Sequence, residues 1–81
     1  MARDTLDLHG KKTDEVEDLV DRFLMNAQEQ HLKRIRIMTG KGTGAVRNVV
    51  TKYLKLGGFP WKYEKLSNGK DNEGVLVVFL D

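Results

Sequence analysis

Apolar residues recur along this chain at two different periods, and the changes of period mark its elements. Thr5-Leu6-Asp7-Leu8-His9 alternates polar and apolar, the period of a strand, with Leu6 and Leu8 directed inward and Asp7 and His9 sharing the other face. Gly10 breaks the strand. Val16, Leu19, Val20, Phe23, Leu24 and Ala27 then fall on one face of a helix. Thr13 is placed as its N-cap, and Asp14, Glu15, Glu17 and Asp18 complement the dipole of its first turns. The helix is expected to end near Gln30 or His31, with His31 a solvated cap residue.

Alternation returns at Arg34-Ile35-Arg36-Ile37-Met38, a second strand with Ile35 and Ile37 inward. Val46, Val49, Val50, Tyr53 and Leu54 form a second helical stripe, stopped by Gly57-Gly58. Trp61 to Leu66 is predicted as a third strand and Ser67 to Gly74 as a long hairpin connection. Val75 to Leu80 is a fourth strand, apolar on both faces and so expected at the centre of its sheet. The order β-α-β-α-β-β predicts an α/β two-layer sandwich. Right-handed crossovers put both helices on one face of a four-stranded mixed sheet. The other face would carry Asp7, His9, Arg34 and Arg36. Residues 1–81 hold no repeat or linker and are read as one domain.

Composition narrows the classes. Hydrophobic residues at 40% and charged residues at 32% describe a folded domain, not a disordered chain. No cysteine is present, which excludes disulfides and thiolate metal sites. The run Val75–Leu80 is far too short to span a membrane, and Met1-Ala2-Arg3-Asp4 is too polar for a secretory signal. A cytoplasmic protein with no membrane partner is expected. The net charge of +2 conceals an asymmetry: residues 1–32 carry eight acids and four bases, residues 33–65 nine bases and only Glu64 as an acid. A basic half in so small a domain points to a polyanion, or to a surface that is merely lopsided.

Candidate chemistry gathers at one edge. If the first two strands are parallel neighbours, Asp7-Leu8-His9-Gly10 and Thr39-Gly40-Lys41-Gly42-Thr43-Gly44 both lie at strand carboxyl ends, where open α/β sheets bind ligands. Gly40, Gly42 and Gly44 let another backbone approach closely. Their N–H groups, those of the following helical turn, Lys41 and Arg47 suit a phosphate. The alternative is a flexible turn with an incidental lysine, but helix N-termini bind anions readily, which favours the phosphate loop. The Walker A spacing is absent. Gly40 to Ala45 does match G-x-G-x-x-[GA], but it follows the second strand in a chain too short for a dinucleotide fold. Asp7 and His9 form a usable acid–base pair near neutral pH, or two ligands of an incomplete metal site, or simply two solvated residues. Trp61 and Tyr63 share a strand face that suits base stacking or packing of the domain.

Leu6-Asp7-Leu8-His9-Gly10 together with Thr39 to Gly44 resembles the two signatures, LDxH and [TH]GxG, of the Smr (small MutS-related) family. The resemblance covers nearly the whole chain. It implies a fold like the C-terminal domain of translation initiation factor 3, and a partner that is DNA or RNA. Other protein domains and the ribosome are the further partners it brings in. It implies an endonuclease that nicks DNA or cleaves RNA, the alternative being a non-catalytic nucleic-acid-binding module that recruits other factors. Carried across, Asp7 and His9 are the catalytic candidates. Gly40, Lys41, Gly42, Thr43 and Gly44, with Arg36 and Arg47, are the candidates for binding phosphate. On RNA, His9 would activate the 2′-hydroxyl without a metal. On DNA a divalent cation, Mg or Mn, is the expected cofactor. Thr39 stands where many bacterial members have histidine, which would leave this chain slower or able only to bind. Family members form the C-terminal domains of MutS2 proteins or stand alone. The glycine-poor segment Asp71–Gly74 favours the stand-alone kind.

Overall fold

The structure, a computed structural model, describes residues 4–40 and 44–80. Its elements are β1 (Thr5–Asp7), α1 (Thr13–Glu29), β2 (Arg34–Met38), α2 (Ala45–Gly57), β3 (Trp61–Lys65) and β4 (Asp71–Phe79). The strands form one sheet in the order β1-β2-β4-β3. β1 runs parallel to β2, and β4 lies antiparallel to both β2 and β3. The apolar fourth strand therefore sits inside the sheet, as its composition predicts.

Ile35 and Ile37 of β2 and Leu76 and Val78 of β4 are buried against Val16, Val20, Leu24 and Ala27 of α1 and Val50 and Leu54 of α2. Both helices thus cover the same face. Full burial of each such aliphatic side chain contributes about 1.5–3 kcal/mol, which makes this layer the main source of stability. The helices are also joined at their edges, where the Tyr53 hydroxyl donates to Asp21 Oδ1 at 2.5 Å. That bond to a carboxylate, reinforced by burial, raises the Tyr53 pKa from 10.0 to about 12. Among the described residues no helix is long and apolar enough to cross a membrane.

The helix ends have local causes. α1 begins at Thr13, one residue earlier than the sequence suggests: Lys12, not Thr13, is the N-cap residue, and its N–H donates to Glu15 Oε1 at 3.4 Å. Glu15 reaching back fixes that boundary where a threonine hydroxyl was expected to. At the other end His31 takes φ 60°, the one non-glycine residue with positive φ among the described residues. The N–H groups of His31 and Leu32 then donate to Gln28 and Ala27 carbonyls at 3.0 Å each, a Schellman ending with histidine in the usual glycine place. α2 ends in the same way at Gly58, where φ is 74°.

Several strand boundaries differ from those predicted. β1 ends at Asp7, so His9 is not a strand residue. The segment predicted as hairpin loop is partly strand: β4 begins at Asp71, and Glu64 and Lys65 pair with Asn72 and Asp71. The turn is confined to residues 66–70, closed by the Leu66 N–H on the Lys70 carbonyl at 2.8 Å, and β3 stops at Lys65. Tyr63 pairs with Leu76 while its neighbour Glu64 pairs with Asn72, so Glu73, Gly74 and Val75 bulge from the ladder. Asn72 and Gly74 give residues 71–74 the composition of a loop, and the pairing of Asp71 and Asn72 with β3 makes their start strand.

Candidate functional site

The parallel pairing of β1 with β2 brings Asp7 opposite Met38. Both chain segments that follow therefore leave the sheet at the same edge. On the first, the Leu8 N–H still reaches the Met38 carbonyl at 2.8 Å, and Leu8 is fully buried. The chain then reverses. The Lys11 N–H donates to the Leu8 carbonyl at 3.0 Å, and Gly10, third residue of this turn, has φ 76°. A side chain there would strain the backbone, which explains the glycine after the histidine. His9 projects from the exposed corner of the turn, and the Asp7 carboxylate accepts the His9 backbone N–H at 2.9 Å. The two residues are adjacent as predicted, but the bond runs to the peptide that carries the imidazole.

On the second segment, Thr39 is 8% exposed, and its N–H and that of Gly40 both donate to the Gly74 carbonyl, at 2.8 and 3.2 Å. Its hydroxyl lies within hydrogen-bond distance of the Gly40 and Gly74 carbonyls. Thr39 thus helps anchor the entrance of the loop, held from the bulge in β4. Gly40 has φ 80°, and a Cβ there would lie 3.9 Å from the His9 ring carbon Cδ2. The imidazole accordingly lies over the start of the glycine loop. The candidates Lys41, Gly42 and Thr43 lie outside the described residues.

Gly44 is the N-cap of α2 with φ 85°, and no acid occupies the first turn. The Arg47 guanidinium folds back over this end, so that a Cβ on Gly44 would lie 3.2 Å from Arg47 Nη2. Arg47 Nη1 also lies 3.8 Å from the exposed carboxylate of Glu73 in the same bulge. The structure therefore brings Asp7, His9, Gly40, Gly44 and Arg47 to one edge. Arg36 is elsewhere. It faces the open side of the sheet, paired in register with Thr5 and Val77, and its Nε lies 2.7 Å from Glu64 Oε2. Its charge is already matched there. Among the described residues, Lys33, Arg34, Lys52, Lys55, Lys62 and Lys65 are spread around β2, β3 and α2.

Glu73 and Gly74 hold the site from the side, yet the sequence reads as a loop at both positions. Their part depends on the β4 bulge, which no local pattern marks. Trp61 and Tyr63 pack against the core as an edge-to-face pair with ring centroids 5.1 Å apart. No three His, Asp or Glu side chains converge on a cation position among the described residues. A divalent ion held by Asp7 would have to take most of its shell from water and substrate phosphate, so no catalytic step is assigned to it.

Comparison with known proteins identifies the family. The Smr domain family description matches residues 6–81. Endonuclease MutS2 of Lachnoclostridium phytofermentans is 36% identical over 73 residues, covering 90% of this chain and 9% of that protein. Endonuclease MutS2 of Agathobacter rectalis is 39% identical over 73 residues, with the same coverage of 90% and 9%. The chain thus spans about a tenth of these relatives. Among solved structures, the Smr domain of Thermus thermophilus MutS2 superposes with a TM-score of 0.80 at 31% identity, covering 95% of this chain and 96% of that one. YdaL, a stand-alone small MutS-related protein from Escherichia coli, shares the fold with a TM-score of 0.84 at 22% identity over 99% of this chain and 66% of its own. From the signatures, the fold and these relatives together, the chain belongs to the Smr domain family.

Proposed function

We propose that the 81 residues act as a single Smr domain that binds DNA or RNA through its phosphates and cuts it as an endonuclease. The observation that carries this reading is the placement of His9, held through its own peptide by Asp7 and lying over the first glycine of the loop that leads into α2. A phosphate held at the loop, near Arg47 and the positive end of the α2 dipole, would lie beside an exposed imidazole. His9 is the catalytic residue in this reading and Asp7 a positioning residue. On RNA the imidazole takes the proton of the 2′-hydroxyl, whose oxygen attacks phosphorus. The bond from phosphorus to the 5′-oxygen breaks, that oxygen takes a proton from water, and the imidazolium returns its proton to solvent, leaving a 2′,3′-cyclic phosphate. On DNA the same imidazole would activate water.

End-labelled RNA and DNA, incubated with the chain and with His9→Ala, test this directly. Cleavage is expected to fall by about 10²–10⁴-fold in His9→Ala with binding little changed. Equal cutting by His9→Ala would overturn the assignment. A cyclic-phosphate end would identify the RNA route, and complete loss of cutting in EDTA would indicate a divalent ion.

One observation favours a second reading, a binding module without catalysis. Thr39, at a position where many bacterial members have histidine, is buried and anchors the loop. It offers no second proton carrier. Binding without any cleavage, unaltered in Asp7→Ala, would support that reading.

A further inference from the structure

The outward ridge of α2 leads away from the candidate site to a second concavity. Arg47, Thr51 and Lys55 recur every four residues on one side of the helix, with Asn48 and Lys52 beside them. Val46, Val49, Val50, Tyr53 and Leu54 occupy the opposite side and pack on the core. α2 contains no acidic residue, whereas α1 carries Asp14, Glu15, Glu17, Asp18, Asp21 and Glu29. At its far end Thr51, Lys52 and Lys55 line an open concavity together with Phe59, Pro60 and Trp61. Two exposed lysines and a partly exposed indole lining one concavity combine charge for a phosphate with a flat surface for a base.

We infer that this concavity is a stacking subsite for single-stranded nucleic acid, and that the strand runs along α2 from the glycine loop to Trp61. The inference rests on the nucleic-acid reading above and adds the path and the strandedness of the ligand. A duplex keeps its bases stacked inside, so only an unpaired base reaches the indole. The 13 residues of α2 measure about 20 Å, the reach of about six stacked nucleotides. Binding therefore depends on length up to roughly that number of nucleotides.

Trp61 is the only tryptophan of the chain, so its emission reports this subsite alone. The experiment titrates His9→Ala with fluorescein-labelled (dT)12, (dT)4 and a 12-base-pair duplex, following label anisotropy and Trp61 emission together. Expected are quenching of Trp61 by (dT)12, weaker binding of (dT)4, and little quenching by duplex. Lys52→Ala/Lys55→Ala should bind (dT)12 about tenfold more weakly, with a log–log salt slope shallower by about 1–2. Its melting temperature should be unchanged, because both lysines are exposed. Saturating binding with unaltered Trp61 emission, equal quenching by duplex, or undiminished binding by the double variant would each overturn the subsite and leave the candidate catalytic site untouched. Absence of any binding would overturn both.

Discussion

The Asp7 carboxylate accepts the backbone N–H of His9 at 2.9 Å, and so fixes the peptide from which the imidazole projects. An asparagine at position 7 keeps an oxygen that accepts the same bond, and an alanine does not. Asp7→Asn is therefore expected to retain most cleavage, while Asp7→Ala loses about 10²-fold through misplacement of His9. Paired rate measurements check this. Asp7→Asn as inactive as Asp7→Ala would show that the negative charge itself is needed.

Gly44 combines a positive φ with the Arg47 guanidinium at 3.2 Å from the place of a Cβ. Gly44→Ala is expected to cost roughly 1–2 kcal/mol of stability from the backbone conformation. It should also push Arg47 off the end of α2. Urea unfolding measures the first effect and oligonucleotide affinity the second. A stable variant with unaltered affinity would remove Arg47 from the phosphate site.

Tyr53 has its pKa raised to about 12 by donation to Asp21, against 10.0 for a free tyrosine. Between those values the folded chain binds the proton more tightly than the unfolded chain, so this contribution is fully present below pH 10 and is lost as pH rises through 12. Tyr53→Phe should be less stable than the parent by about 1 kcal/mol at pH 8. The gap should close as pH climbs through that window. Urea titrations at several alkaline pH values would show it, and a gap independent of pH would assign the loss to packing.

His31 ends α1 with φ 60°, a conformation that glycine adopts without strain. His31→Gly should keep both closing hydrogen bonds and stabilise the chain by about 0.5–1 kcal/mol. An unchanged melting temperature would mean that the gain is offset in the unfolded state. Because His31 is exposed at the end of α1, cleavage should not change.

The fold was legible in the sequence because its elements depend on local periods. Ile35 and Ile37 on β2, and Val16, Val20 and Leu24 on α1, are buried where a period of two and a period of 3.6 place them. The Smr signatures were legible too, and the glycine after His9 sits at the one position of its turn that takes positive φ. Other features were decided by tertiary contacts. Asp71 to Gly74 looks like a loop until β3 pairs with Asp71 and Asn72, and then Gly74 becomes the acceptor that holds Thr39 and Gly40. Arg36 looks like a phosphate ligand until the neighbouring strands place Glu64 at 2.7 Å. His9 was expected on a strand, sharing a face with Asp7. It stands instead on a turn, because the ladder to β2 runs out at Leu8 and the Asp7 carboxylate takes the next N–H. A local period fixes which face a side chain takes. Whether a charge, a hydroxyl or a carbonyl is already occupied depends on residues distant in the chain, and only the assembled sheet brings those together.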